Sequence, residues 1–500
     1  MARLKKADPK NIAGVSWLTR REFVGAMAGL AASGFLSACS SSGSNSGSGS
    51  GPALPAQPIP AGQIAPATVS ISATEVGTMP AQFVGLSYEK DKLSQPVFAG
   101  SNANLIGLFK RLGSGLLRIG GNSVDKTTWN PTGPGQTSGQ VAPPDVDALA
   151  AFLTAADWPV LYGVNLAQST PEAAGSEVAY AAKSIGSNLF GIEIGNEVDL
   201  YAGHYFPSTW DFSDYLTLWQ SFAAAILAQT PGVPLTGPVI AYNTTWFSSF
   251  AQAEGKAVAL LSAHYYRANG QDPSSNIQLL ISYPDTNLQK YLTELKAPAN
   301  AAGVPFRIAE TNSFYNGGAP NVSDSYASAL WVIDHLFTIA LGGSVGANLH
   351  GGGNGNGYTP IADNDGVVVE ARPEYYGALL CTLAGQGNLL ETSITAASLN
   401  TSAYTVQNSA TQLSAIIVNK DMTQNLQFMA TCPGSVQSAT MQVLTGPALS
   451  ATSGVTIQGA GMDPDGSFSP QESYGLAVSG DTFSGYVPAA SAALVVVTLK

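Results

Sequence analysis

Two glutamates stand where an acid can do chemistry. Glu197 closes the run Gly191-Ile192-Glu193-Ile194-Gly195-Asn196-Glu197, and Glu310 follows Phe306-Arg307-Ile308-Ala309. Both runs are short, apolar and β-prone, so both carboxylates are expected at strand ends. Two carboxyl groups facing each other can cleave a glycosidic bond. One protonates the leaving oxygen, and the other attacks the anomeric carbon or activates water. A lone strand-end glutamate is as readily a salt-bridged structural acid. Two of them in one chain, the first preceded by Asn196, which can bind a sugar hydroxyl, shift the balance towards chemistry.

The elements that must position them alternate strand and helix. Candidate strands lie at 82–88, 116–119, 160–165, 191–195, 235–239, 260–266, 306–309 and 345–350, with amphipathic segments at 104–112, 146–156, 172–185, 212–229, 286–296 and 324–341. Eight strands with helices between them predict an α/β fold, a (β/α)₈ TIM barrel whose chemistry sits at the C-terminal strand ends. After about Asp365 helical periodicity mostly disappears. Thr/Ser/Val-rich runs at 402–407, 413–419, 441–444 and 493–499 alternate with Gly, Pro and Asn turns, which predicts a C-terminal β-sandwich. The early run 68–73 is expected to be a strand of the same sandwich. The predicted organisation is therefore a signal at 1–39, a linker at 40–65, an N-terminal sandwich strand at 66–80, a barrel at 81–364 and a sandwich at 365–500.

Glutamates on strands four and seven resemble a large clan of retaining glycosidases. Ile194-Gly195-Asn196-Glu197, Ala263-His264-Tyr265-Tyr266, Ala309-Glu310-Thr311-Asn312 and Leu117-Arg118-Ile119-Gly120-Gly121-Asn122 together resemble glycoside hydrolase family 79, which contains heparanase and β-glucuronidases. The similarity runs from about Ser70 to the C-terminus. It implies Glu197 as acid/base, Glu310 as nucleophile, and a strand-six tyrosine, Tyr266, hydrogen-bonded to the nucleophile. Of Tyr265 and Tyr266, one is expected to serve the site and the other to pack.

His350-Gly351-Gly352-Gly353-Asn354-Gly355-Asn356-Gly357-Tyr358 follows strand eight, and Tyr315 lies five residues beyond the nucleophile. A Gly-rich turn can bring backbone amides close to a ligand; on composition alone it is as easily a surface loop. Bacterial β-glucuronidases of family 79 hold the sugar carboxylate with two tyrosines and a glycine amide, and Tyr315, Tyr358 and Gly357 match those places. Glu89 and Asn122 are further candidates for sugar hydroxyls. Arg118 and Glu193 are read as interior polar partners rather than substrate contacts.

The chain carries 21 Lys+Arg against 33 Asp+Glu, a net charge of −12. Its first 38 residues hold six basic residues and two acids, so the remainder, with 15 basic and 31 acidic residues, is more acidic still. Such a surface is a poor partner for nucleic acid, which needs cations to neutralise phosphates. No HExxH or CxxC spacing occurs, so neither a catalytic metal nor a cofactor is expected. Cys381 and Cys432 are as compatible with a disulfide as with buried free thiols.

Thr19-Arg20-Arg21-Glu22-Phe23-Val24 has the twin-arginine pattern. The apolar run 24–38 is too short to span a bilayer, where about 20 residues are needed. Leu36-Ser37-Ala38-Cys39 resembles a lipobox, whose Cys39 would be lipidated. The segment that follows is Ser/Gly-rich, then Pro/Ala-rich, a tether by composition. These features predict a monomer exported to a bacterial cell envelope or periplasm and touching membrane only through a lipid anchor. The reading that follows is a retaining hydrolase releasing terminal β-linked glucuronic acid from glycans. The alternatives are another clan glycosidase, arabinofuranosidase- or xylanase-like, and an envelope sugar-binding lipoprotein without activity.

Overall fold

The computed structural model of the chain describes residues 54–500 except Asn356. Arg20, Arg21, Cys39 and the tether up to residue 53 lie outside the described residues.

Eight parallel strands close into a barrel in chain order: Val84–Glu89, Leu117–Gly120, Val160–Val164, Leu189–Ile194, Leu235–Ile240, Leu260–Asn269, Phe306–Tyr315 and Ala347–Gly351. Each overlaps one of the eight expected runs. Strands buried on both faces read as continuous apolar runs, and Val160–Val164 is buried at every position. Strands six and seven run on past the expected ends, pairing Thr311 with Tyr265 through to Tyr315 with Asn269. Glu310 therefore lies within a strand, not at its end. A register shift between Ile308 and Glu310 marks a bulge immediately before the glutamate, the device by which a strand re-aims one side chain.

The six expected helices form with small shifts; Phe212–Gln229 coincides with its expected span. Three more are Thr244–Glu254, Ile277–Ile281 and Pro373–Leu383. Pro373–Leu383 falls in the stretch read as all sheet. It packs along Tyr326–Leu341, so the helical layer of the barrel continues past 364 to 383. Its periodicity is hard to see because nine of its eleven residues are buried, which leaves almost no polar face.

The second layer is a β-sandwich. The strand Gln63–Met79 lies between Gly387–Thr395, antiparallel, and Gln424–Thr431, parallel. The hydrogen-bonded path runs from Val436–Thr445 through Ser491–Leu499, Gln412–Asn419 and Thr401–Ser409 to these three, then to Thr482–Val487. Thr482–Val487 packs back against Val436–Thr445 and Ser491–Leu499. Val69, Leu413, Met441, Phe428, Phe483 and Val495 thus share one core. The N-terminal strand begins at Gln63, and the chain before it is already docked. Gln57 Nε2 donates to Tyr486 O, and Tyr486 N donates back to Gln57 Oε1 at 2.8 Å. The end of the expected tether is therefore part of the sandwich.

The layers meet over Tyr326–Leu341, buried on every side through Ala340. Its Asp334 receives Lys420 Nζ, Ser402 Oγ and Tyr404 Oη from the sandwich. The two cysteines are free and buried, so the disulfide alternative falls. Burial, with Asp481 nearby, pushes the Cys432 thiol up to about 11, which keeps it protonated and inert.

Candidate active site

The site is assembled from strand ends inward. After strand four the chain must turn sharply. Gly195 takes φ +88, and a Cβ there would lie 2.9 Å from Tyr201 Oη. Glu197 itself adopts φ 51, ψ 48, a left-handed conformation that side-chain-bearing residues seldom take. Asn196 is locked between them: its N–H donates to Tyr201 Oη, and its Oδ1 accepts from Arg118 Nη2 at 2.9 Å.

Strand seven delivers Glu310, which is 6 % exposed. Tyr266 Oη donates to its Oε1 at 2.8 Å, and Arg118 Nη1 donates to its Oε2 at 2.7 Å. The guanidinium also donates from Nε to Glu193 at 2.6 Å and from Nη1 to Ser87 Oγ at 3.2 Å. On strand six, side chains alternate. His264 and Tyr266 face inward, while Tyr265 turns out to donate to Asp285 at 3.0 Å. His264 Nδ1 is 3.1 Å from Glu197 Oε1 and 3.9 Å from Glu310 Oε2. One ligand atom from each of Glu197, His264 and Glu310 lies within 4.8 Å of the other two. Three such groups can close on a metal ion, but the Arg118 cation already resting on Glu310 opposes a second positive charge there.

His350, on strand eight, stands between two acids. Its Nδ1 is 3.8 Å from Glu310 Oε2, and its Nε2 is 3.6 Å from Glu89 Oε1. Glu89 accepts the amides of Asn122 at 3.1 Å and Ser123 at 2.7 Å. Gly121, at φ +73, permits that turn, since a Cβ would meet the Glu89 carboxyl at 2.4 Å. Asn122 Oδ1 in turn accepts from Asn196 Nδ2 at 3.4 Å. Burial alone would raise the Glu310 pKa. The charges of His350, His264 and Arg118, and the Tyr266 hydroxyl, outweigh it and hold Glu310 well below the usual carboxylate range. Burial depresses His350, yet Glu310 and Glu89 together raise it above its ordinary value.

Tyr315 and Tyr358 flank Tyr266, with ring centroids 6.4 and 6.1 Å away. Tyr315 is 44 % exposed and Tyr358 only 7 %. The Gly357 amide donates to Gly317 O at 2.8 Å. It is therefore engaged in the loop's own turn and is not the open donor that was expected there. Lys90 is tied to Glu177 and Arg267 to Leu280 O and Ser282, so neither cation is directed at a ligand. Arg372, unremarked in the sequence, holds the Gly-rich loop through Asn354 O at 2.9 Å and Gly357 O at 3.4 Å.

Sequence reasoning thus named seven groups that the structure gathers: Glu89, Asn122, Asn196, Glu197, Tyr266, Glu310 and Tyr358. It placed Arg118 in the interior, where it is, but not on Glu310. It assigned no role to His264 or His350. For His264 a signal existed, because strand period 2 puts His264 and Tyr266 on one face.

No family model matches the chain. It is 26% identical over 313 residues to a β-glucuronidase of Aspergillus niger, 54% of this chain and 58% of the relative. It is 26% identical over 349 residues to a β-glucuronidase of Neurospora crassa, 58% of this chain and 61% of the relative. The matches thus span about three fifths of the length of these curated relatives. Among solved structures it is similar to a 4-O-α-L-rhamnosyl-β-D-glucuronidase of Fusarium oxysporum, with TM-score 0.70, 19% identity, and 86% of this chain and 100% of the other covered. It is also similar to a family 51 α-L-arabinofuranosidase of Bifidobacterium longum, with TM-score 0.64, 17% identity, and 87% and 99% covered. These two likenesses establish the fold: a TIM barrel carrying a β-sandwich.

Proposed function

We propose that this chain is a retaining glycoside hydrolase of the family 79 type that releases terminal β-linked glucuronic acid. The observation that carries the reading is the meeting of Glu197 and Glu310 oxygens within 4.8 Å. Retaining enzymes keep their carboxyl groups about 5–5.5 Å apart, inverting ones about 6.5–9.5 Å, which leaves room for a water. Glu310, held ionised by Arg118 and Tyr266, attacks the anomeric carbon while Glu197 gives its proton to the departing oxygen. Glu197 then takes a proton from water, whose oxygen attacks the same carbon and releases Glu310 as a carboxylate.

The sugar carboxylate is assigned to the Tyr315 and Tyr358 hydroxyls. Glu89, Asn122 and Asn196 are assigned to ring hydroxyls. The twin-arginine and Cys39 motifs support export and a lipid anchor at the cell envelope. A second reading, arabinofuranosidase-like, is favoured by the family 51 neighbour, whose fold is the same. A panel of aryl glycosides separates the two. Hydrolysis of the β-glucuronide, with the β-anomer as first product by NMR, supports the proposal; hydrolysis of only the α-L-arabinofuranoside, or release of the α-anomer from the β-glucuronide, overturns it.

A further inference from the structure

One buried acid is not used by the chemistry above. Glu374 stands on the first turn of Pro373–Leu383, 1 % exposed. Its Oε2 is 3.2 Å from Asn312 Nδ2, and its Oε1 has no partner among the described residues. Burial raises its pKa far above the carboxylate range against the opposing pull of Asn312 and Arg372, which favours the protonated form. A buried polar atom left unpaired is costly and calls for an explanation.

The other oxygen of the carboxyl rests on Asn312. This asparagine is two residues beyond the nucleophile, and its Nδ2 also donates to His350 O at 3.0 Å and to Tyr358 O at 2.8 Å. Those carbonyls are the two ends of the Gly-rich loop. The Asn312 Oδ1 is taken by Ser313 N at 2.6 Å. Two amide hydrogens thus serve three acceptors, and Glu374 is the one anchored on a helix outside the loop. We propose that Glu374 is a positioning residue for substrate selectivity: it fixes the Asn312 amide, which clamps both ends of the 350–358 loop and so sets Tyr358 beside Tyr266 and Glu310.

The inference rests on the glucuronide reading only in its choice of substrate. The test compares the parent with Glu374→Gln and Glu374→Leu. Hydrogen exchange of residues 350–358 is followed alongside kcat and KM on an aryl β-glucuronide and the matching β-glucoside. Glu374→Gln keeps an acceptor for Asn312 and should stay within about twofold of the parent. Glu374→Leu should speed loop exchange and raise KM for the glucuronide about five- to tenfold, the cost of one lost hydrogen bond, with less change for the glucoside. Unchanged loop exchange in Glu374→Leu, or equal damage from both substitutions, overturns the proposal. A parent inactive on glucuronide defeats the substrate reading instead. Loop exchange in the variants then still decides the role of Glu374.

Discussion

Arg118 Nη1 rests 2.7 Å from Glu310 Oε2, and the guanidinium making that contact has no exposed surface. The same side chain reaches Glu193 and Asn196, so one arginine on strand two joins strands four and seven at the level of the chemistry. Replacing it leaves two carboxylates inside the barrel without their cation. Arg118→Met should cost about 3–5 kcal/mol of stability, the range for breaking a buried ion pair by removing one partner. Arg118→Lys should not restore activity, because an ammonium cannot reach four acceptors, on Ser87, Glu193, Asn196 and Glu310, as a planar fork does. Urea unfolding checks the first expectation; a loss below 1 kcal/mol contradicts it.

The two acids beside His350 give it a pH signature. Its pKa is raised from an ordinary 6.5, so the stability it contributes is complete below that value and is lost as pH rises through the folded value. Glu310 is depressed, so it remains ionised as pH falls below the usual carboxylate range. His350→Gln removes one positive neighbour. The acid limb of kcat/KM should move to higher pH, and the alkaline decline in stability should flatten. A limb that stays in place shows that His350 does not act on Glu310.

Glu197 is held in the left-handed region, where a Cβ costs about 1–2 kcal/mol. Glu197→Gly and Glu197→Ala both remove the carboxyl and its contact with His264, but only glycine also relieves the backbone. The Gly variant should be more stable than the Ala variant by about 1 kcal/mol, while both lose activity most severely on poor leaving groups. Equal melting temperatures would mean that the strain is not real.

Two phenols are expected to bind the uronate. Tyr315→Phe and Tyr358→Phe should each lower kcat/KM for an aryl glucuronide by about 10–150-fold, the effect of losing one hydrogen bond to a charged group. The glucoside should suffer far less, so selectivity falls. With the Gly357 amide already given to Gly317, the proposed site asks more of the two tyrosines than a three-donor site would. If both variants keep the parent's preference, the carboxylate binds elsewhere, and Arg372 beneath the loop is the next residue to vary.

The barrel was legible because its strands are short, largely apolar runs separated by helices of ordinary period. The sandwich was legible because alternation replaced that period. Pro373–Leu383 was not, since a helix buried almost all round lacks the polar stripe that betrays one. The pair Glu197 and Glu310 could be found from chain position, although the bulge that aims Glu310 could not. The approach of Arg118 and His350 to Glu310 was not foreseen, for one reason. Whether an inward residue reaches the mouth of a barrel depends on strand stagger, and stagger is a property of closure, not of any single run. Glu374 was invisible, because nothing in Arg372-Pro373-Glu374 reveals that its carboxyl ends under Asn312.

The strand Gln63–Met79 has a consequence for how the molecule comes into being. It leaves the ribosome early, yet its hydrogen-bonding neighbours, Gly387–Thr395 and Gln424–Thr431, emerge only after the whole barrel. During synthesis it is an unpaired edge waiting for its sheet, in a fold whose pairings are remote and therefore slow to close. The sandwich cannot seal until Ser491–Leu499, its last strand, is free to join. A chain halted anywhere before Gly387–Thr395 therefore carries Gln63–Met79 with neither of its sheet partners.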